Sequence, residues 1–262
     1  MDPVRSFMDA GVARVILSAP ESGNALTTPM LEGLARALAL AESDPTCRVI
    51  VLSAEGNHFC QGLDLAAAFA SGGRPDGHFL RLSVDCLLKI RSARVPVIAR
   101  VEGDVSGGGV GLVAACDVVI AAPAATFMLP EVVVGMIPAV IAPFLLRRLT
   151  PARLRYMALS SRGVRGAEAR ELGLVDEVVE DETDRAVDRQ IQRFFRSSPR
   201  ALSECKRYFD ALTPGDLEAQ ATAAIDRLST WLGDPEVVAG ARAFSEGEVP
   251  PWFEKYRRRS DA

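Results

Sequence analysis

The sequence has few of the residues that mark secreted, metal-binding or nucleic-acid-binding proteins. Its 262 residues include two histidines and five cysteines, and the cysteines are scattered without a CxxC pair. This pattern predicts reduced, buried thiols in a cytoplasmic protein and argues against a disulfide framework or a metal site. The net charge of −4 argues against a role on nucleic acid or on a membrane surface.

Long apolar runs are missing as well. No uncharged run reaches the roughly 18 residues that a bilayer-spanning helix needs. The N-terminal residues MDPVRSFMDA lack the basic and then apolar profile of a signal peptide. Hydrophobic residues nevertheless make up 48% of the chain, which is enough for a large core. These features together predict a globular protein without a membrane partner.

Strand-like runs, glycine-bearing turns and helical patterns follow one another three times along the first half of the chain. Short apolar runs predict buried, parallel strands at 12–17, 49–52, 97–101 and 118–120. Stripes with a 3.6-residue period predict helices at 28–44 and 78–92, five more between 143 and 212, and one long helix after Thr213. A short strand is predicted within 173–179. The pattern indicates an α/β spiral followed by a helical tail.

The stretch from Val101 to Glu131 carries the clearest functional signal. Gly107-Gly108-Gly109 leaves backbone N–H groups uncovered at the start of an apolar helix, where the dipole and the unpaired donors suit a developing oxyanion. Glu131 closes the stretch between apolar neighbours, which should raise its pKa. Free backbone N–H donors together with one carboxylate predict an active site. In the alternative interpretation, the glycines only permit tight turns and Glu131 is a surface carboxylate.

Four motifs in register resemble the crotonase, or enoyl-CoA hydratase/isomerase, superfamily: FCQGLDL at 59–65, GGGVGLVAACD at 107–117, LPEVVVGMIP at 129–138 and AEARELGLVDEVV at 167–179. The resemblance implies the crotonase fold, a spiral of repeated β-β-α units over 1–200 with a helical region over 201–262. It implies that this helical region packs in homotrimers, which can pair into hexamers. The implied substrate is an acyl thioester of CoA or of a carrier protein's phosphopantetheine, with no further cofactor and no metal.

The resemblance also assigns roles to individual residues. Two backbone N–H groups bind the thioester oxygen in this family, and the matching residues here are Leu63 and Gly108. Glu131 matches the glutamate that moves the proton at C2. The remaining predicted substrate-binding residues surround these three positions, with His78 as a possible cover of the acyl pocket: Gln61, Gly62, Asp64, Leu65, Ala25, Gly107, Gly111 and His78.

Two departures from the family pattern narrow the chemistry. Hydratases of the family place a second, water-handling glutamate where this chain has Gly111, so Glu131 would act alone, first as base and then as acid. The family's usual cation before the NAL motif is replaced by Glu21-Ser22-Gly23. Free CoA would lose a charge-assisted phosphate contact there, which favours a substrate on a carrier protein.

The run MIPAVIAPFLLRR at 136–148 makes the chain look most like polyketide β-branching dehydratases and methylglutaconyl-type hydratases. The leading prediction is a lyase that dehydrates a 3-hydroxyacyl thioester, namely 3-hydroxy-3-methylglutaryl-acyl carrier protein. The alternatives are a Δ3,Δ2-enoyl thioester isomerase, a methylglutaconyl-CoA hydratase, a methylglutaconyl decarboxylase using His78 or Lys89, and a non-catalytic binding protein. The cluster Arg147, Arg148, Arg153 and Arg155 is either a surface for an acidic carrier or ordinary helix charge.

Overall fold

The computed structural model describes residues 2–64, 77–180 and 182–254. Within these ranges ten strands form two sheets and are numbered in chain order: β1 Val4–Asp9, β2 Val12–Leu17, β3 Val49–Ala54, β4 His58–Cys60, β5 Val97–Val101, β6 Asp104–Ser106, β7 Val118–Ala121, β8 Thr126–Met128, β9 Val164–Arg165 and β10 Glu177–Val178. The helices of the same ranges are α1 Thr28–Ser43, α2 Gly77–Ser92, α3 Gly108–Ala115, α4 Ala142–Leu145, α5 Pro151–Ser160, α6 Gly166–Leu172, α7 Thr183–Phe195, α8 Pro199–Leu212, α9 Leu217–Trp231 and α10 Pro235–Ser245.

The strands of the spiral are divided between two sheets. In the described part of the chain, the larger sheet has the order β1-β2-β3-β5-β7-β10, and all of its pairs except β1-β2 are parallel. The smaller sheet has the order β4-β6-β8-β9, with β4-β6 and β6-β8 parallel. Each of β3, β5 and β7 in the larger sheet is followed by a short strand of the smaller one. This repeat is the predicted spiral of β-β-α units.

The predicted strands at 12–17, 49–52, 97–101 and 118–120 are confirmed as β2, β3, β5 and β7. Their apolar side chains are buried because helices cover the sheet, as the continuous hydrophobic runs indicated. The sequence pattern did not reveal β1, β4, β6 and β9. Three of these strands have two or three residues, and β1 is an edge strand whose residues after Val4 are exposed, so none carries a long apolar run.

The single long helix predicted after Thr213 is wrong, since α9 and α10 are separate helices. Pro235 lacks a backbone N–H and disfavours helical geometry at the residue before it. Asp234 instead caps the new helix, because its side chain accepts a hydrogen bond from the Glu236 N–H at 2.8 Å. The helix predicted over 143–149 is shorter in the structure, where only the single turn of α4 is helical.

The helical region folds back onto the spiral. Helix α8 buries none of its residues, and Lys206 ties it to Asp117, with 2.6 Å between Nζ and Oδ2. Asp117 thus has a structural contact. Helix α9 packs against α2 and α4. Helix α8 begins at Pro199, close to the predicted boundary at residue 200, but the division into two regions and the trimer stay predictions.

Four of the five cysteines, Cys47, Cys60, Cys86 and Cys116, are buried free thiols, whereas Cys205 is exposed. No helix in the described ranges is both long and apolar enough to cross a bilayer.

Candidate active site

The site forms where three neighbouring parallel strands end. Strands β4, β6 and β8 lie side by side in the smaller sheet and end at Cys60, Ser106 and Met128. Their carboxyl ends therefore meet at one edge, as in other parallel sheets whose sites lie outside the strand ends. The segments that follow are 61–64, 107–109 and 130–134. Motifs far apart in the sequence are brought together by this arrangement.

The first two of these segments touch through their backbones. A Cβ atom at Gly62 would lie 2.7 Å from the Ser106 carbonyl oxygen and 2.9 Å from the Gly108 nitrogen. Gly62 also has a φ of +79°, so no other residue fits there without strain. Leu26 braces the same turn, since its N–H donates to the Gly62 carbonyl oxygen at 2.7 Å and it forms a parallel bridge with Leu63.

Neither predicted oxyanion donor has a hydrogen-bond partner among the described residues. Gly108 is the first residue of α3, so its N–H has no partner within the helix. The Leu63 N–H donates to no residue in the described ranges. Leu63 and Gly108 both line the same cavity. Two backbone donors that line one cavity, one of them at a helix N-terminus, are suited to bind a carbonyl oxygen on which negative charge develops.

Glu131 faces this pair of turns. It begins the 3-10 turn Glu131–Val134, and its Oε1 lies 3.4 Å from where a Cβ of Gly107 would be. Its other oxygen, Oε2, is inaccessible to solvent and has no hydrogen-bond partner among the described residues. Removal from water disfavours the charged form and raises the pKa of Glu131 to about 7, although the residue's own N–H opposes the change. A carboxyl group with this pKa can take up and release a proton near neutral pH.

The cavity between these groups is small and mostly apolar. Its volume is about 130 Å³. None of the described residues that line it is a lysine or an arginine. Four of them have polar side chains, namely Gln61, Ser83, Ser106 and Glu131. The apolar lining comes from every layer of the fold, including Leu26, Phe79, Leu112, Met136, Ile141 and Leu228. Such a lining suits an acyl chain and excludes bulk water from the carboxylate.

No side chain fits at the position where the resemblance expects a second glutamate. Gly111 is buried in α3, and a Cβ there would lie 2.3 Å from Ile141 Cγ2 and 3.0 Å from Ile141 Cβ. Ile141 lines the cavity, so an apolar group occupies the place of a water-handling carboxylate. Within the described lining, Glu131 is therefore the one acid–base side chain.

The other predicted substrate-binding residues divide into two groups. Gln61 and Gly107 line the cavity, and the Gln61 Nε2 lies 3.1 Å from His58 Nε2. The remaining described ones do not line it: Gly62 supports the donors, Ala25 and Gly111 are buried, Asp64 is half-buried and His78 is exposed on the first turn of α2. Leu65 lies outside the described residues. Their roles stay predictions.

The sequence analysis missed several residues of the site, among them Ser83 and Asn24. Ser83 lies on the buried face of α2 and donates its hydroxyl hydrogen to the Phe79 carbonyl oxygen at 2.8 Å. A polar residue in an apolar stripe was the available signal. Asn24 is fully buried with a φ of +53°, and its side chain joins Ala19, Glu55 and His58. It shapes the turns around the site, and no sequence pattern indicates such long-range bonding.

The predicted arginine cluster is largely used inside the molecule. The Arg148 guanidinium donates to the carbonyl oxygens of Cys116, Asp117 and Leu174, and its side chain is 8% exposed. Arg147 donates to Pro143 and Gly215, whereas Arg155 is exposed. These contacts favour a structural role over a carrier surface for Arg147 and Arg148.

No group of three metal-ligating side chains occurs in the described ranges, and the absence of a metal or cofactor stays a prediction.

The spiral of β-β-α units, with one cavity at the strand ends of the smaller sheet, is the architecture of the crotonase fold. A sequence model of the enoyl-CoA hydratase/isomerase family matches residues 8–255, so the chain belongs to this family. The dehydratase PksH of bacillaene synthase from Bacillus subtilis is 28% identical over 251 residues, which cover 95% of this chain and 96% of that protein.

Solved structures agree with this assignment. The polyketide biosynthesis enoyl-CoA hydratase PksH from Bacillus subtilis has a TM-score of 0.85 at 25% identity, with 94% of this chain and 98% of that chain covered. An enoyl-CoA hydratase from Mycobacterium avium has a TM-score of 0.83 at 32% identity, with coverage of 96% and 99%.

The contact between Gly111 and Ile141 generates a stability prediction. We expect Gly111→Ala to lower the free energy of unfolding by about 1–3 kcal/mol, because overpacking exceeds the gain in helix propensity. Urea denaturation measures this loss, and Gly111→Ala should cost less in an Ile141→Ala background, where the contact is absent. Gly77→Ala is the control, since a Cβ there meets nothing within 4 Å. An unchanged unfolding midpoint for Gly111→Ala would show that the site has room for a side chain.

Proposed function

We propose that this chain is a lyase that removes water from a 3-hydroxyacyl thioester, with 3-hydroxy-3-methylglutaryl-acyl carrier protein as its substrate. One observation carries the proposal. A single carboxyl group, with a pKa near neutrality, faces two unpaired backbone donors across a small apolar cavity. This arrangement fits a reaction in which one group moves a proton while the thioester oxygen gains charge.

The two donors would lower the barrier to forming the enolate. Abstraction of the C2 proton shifts an electron pair toward the thioester oxygen, where the N–H groups of Leu63 and Gly108 would bind it. Each well-aimed donor of this kind contributes roughly 3 kcal/mol of transition-state stabilisation. Both donors are backbone groups held by the Gly62 contact, so they need no reorganisation as the charge develops.

Glu131 would then complete the elimination. The ionised carboxylate takes the C2 proton, the C3–O bond breaks, and the same carboxyl group returns the proton to the leaving hydroxide. Water departs and Glu131 is again ionised, so atoms and charge balance. A single group can serve both steps only when the two bonds break on the same face of the substrate. Ile141 in the space next to Gly111 supports this one-residue scheme, because it leaves no second carboxylate in the described lining.

Two observations support a carrier-bound substrate. The similarity to PksH, described as a bacillaene synthase dehydratase, covers nearly the full length of both chains. The residues before Asn24 place an exposed Glu21 where a cation would otherwise meet CoA phosphates. An acyl group on phosphopantetheine lacks the additional phosphates of CoA and does not need that cation.

The character of the cavity favours a second candidate, an enoyl thioester isomerase. The described lining has no lysine or arginine to pair with the free carboxylate of a methylglutaryl group. An uncharged chain would suit this lining, and a double-bond shift also needs only one proton-transferring carboxylate. Decarboxylation has less support, because the exposed residues His78 and Lys89 do not line the cavity.

We also propose that the protein is a cytoplasmic homotrimer, or a hexamer of two trimers. Helix α8 is amphipathic but buries no residue, and its aromatic residues Tyr208 and Phe209 are more than half exposed. An apolar face of this kind is consistent with a subunit interface.

Mass spectrometry of a carrier-bound substrate separates the candidate reactions. With 3-hydroxy-3-methylglutaryl-acyl carrier protein, we expect the acyl group to lose the mass of one water. A 3-enoyl thioester offered in parallel should stay unchanged. Its conversion to the 2-enoyl isomer, which leaves the mass unchanged and is followed by the ultraviolet absorbance of the conjugated thioester, would support the isomerase. Loss of carbon dioxide from a methylglutaconyl thioester would establish decarboxylation, and loss of water only from an uncharged 3-hydroxyacyl chain would reject the methylglutaryl substrate.

Glu131→Gln tests the proposed acid–base role. The amide has nearly the shape of the carboxyl group but cannot accept the C2 proton, so we expect turnover to fall by at least a thousandfold. The variant should not melt below the wild-type temperature at pH 8, since it removes a buried, unpartnered charge. Glu32→Gln, on the exposed side of α1, is the control and should keep full activity. Comparable turnover in both variants would reject the mechanism.

The raised pKa of Glu131 sets the direction of the pH profile. The proposed base is the ionised form, which loses its charge as the pH falls through about 7. We therefore expect kcat/KM of the free enzyme to rise between pH 6 and 8 and to level off above that range, approaching one decade per pH unit on the acid side. Circular dichroism at each pH controls for unfolding. A flat profile, or one that falls with rising pH, would contradict an ionised Glu131 as the base.

A further inference from the structure

Both tryptophans of the chain bond to the backbone of the turn that begins at Glu131. Trp231, the last residue of α9, donates its indole N–H to the Gly135 carbonyl oxygen at 2.8 Å. Trp252 donates its indole N–H to the Val133 carbonyl oxygen at 3.3 Å. The sequence contains two tryptophans, so every indole N–H of the protein is used on residues 131–135.

The ring of Trp252 also fills a slot made by two glycines. A Cβ at Gly135 would lie 2.5 Å from Trp252 Cη2, and a Cβ at Gly240 in α10 would lie 1.7 Å from the same atom. Gly135 has a φ of +74° and ends the turn. Helix α10 packs against the turn as well. The C-terminal region thus holds this segment by shape and by hydrogen bonds together.

These contacts matter because no side chain of the described residues bonds to the Oε2 atom of Glu131. Its backbone is fixed within the turn, where the Met136 N–H donates to the Glu131 carbonyl oxygen at 2.8 Å and the Gly135 N–H to that of Val132 at 3.2 Å. The carboxyl position therefore follows the position of the turn, and a displacement of about 1 Å at a reacting group can cost 100-fold in rate.

We propose that Trp231 and Trp252 are positioning residues for Glu131, which hold its turn against the oxyanion donors through their indole N–H groups. The inference rests on the proposed catalytic role of Glu131. It predicts that removal of the two N–H donors slows the chemical step and leaves substrate binding nearly unchanged, because neither indole lines the cavity.

Replacement of both tryptophans by analogues tests the donors alone. β-(3-Benzothienyl)alanine keeps a bicyclic ring but has sulfur in place of N–H, whereas 5-fluorotryptophan keeps the N–H. With the benzothienyl protein we expect kcat to fall ten- to a hundredfold at a KM within about twofold of the native value. The fluorinated protein should stay within about twofold in both constants. Equal kcat in the two labelled proteins would overturn the proposal.

Single variants and hydrogen exchange give a second route if the labelled protein does not fold. We expect Trp231→Phe and Trp252→Phe each to lower kcat at an unchanged KM, and the amides of Gly135 and Met136 to exchange at least tenfold faster. Phe253→Leu, an exposed neighbour of Trp252, is the matched control. Native kcat and native exchange in both Phe variants would reject the inference, even where Glu131→Gln is inactive. Full activity of Glu131→Gln would instead reject the proposed function, a separate result.

Discussion

The close contact between the turn at Gly62 and the start of α3 at Gly108 is the constraint on which the rest of the site depends. A Cβ at Gly62 would collide with the Ser106 carbonyl oxygen and the Gly108 nitrogen. Only two bare stretches of backbone can approach so closely. The contact brings together the turns that carry the two proposed N–H donors, which are more than 40 residues apart in the sequence. The spiral brings them together because β4 and β6 are parallel neighbours.

Glu131 is positioned differently from the two proposed backbone donors. The proposed donors are backbone groups, but the carboxyl group is on a side chain, and its Oε2 has no hydrogen-bond partner among the described residues. Apolar surroundings raise its pKa toward neutrality and at the same time deprive it of polar neighbours that could hold it. Its placement must then come from the backbone of its turn. The contacts of α9, α10 and Trp252 with that turn connect the helical region to the proposed chemistry.

Much of the fold and of the site could be predicted because the signals are local. Continuous apolar runs marked β2, β3, β5 and β7, and the glycine triplet marked the start of α3. Short strands such as β4 and β6 escaped, since two or three residues carry no periodicity. The break at Pro235 was misjudged although Asp234-Pro235 is a local signal for a helix start. Asn24 escaped because its partners Glu55 and His58 are distant in the chain, whereas Ser83 bonds within its own helix and was overlooked as a polar residue in an apolar stripe.

The sequence by itself determined the kinds of groups available: glycines where backbone must be bare, a lone glutamate after Pro130, and Gly111 in place of a second carboxylate. These follow from residue identity within a motif, so no coordinates were needed. Only the tertiary structure showed that Ile141 fills the space next to Gly111. It also showed that Arg147 and Arg148 donate to backbone carbonyl oxygens, and that both tryptophans bond to the turn that begins at Glu131. Each of these depends on a neighbour far away in the chain, and long-range packing leaves no periodic trace in a single sequence.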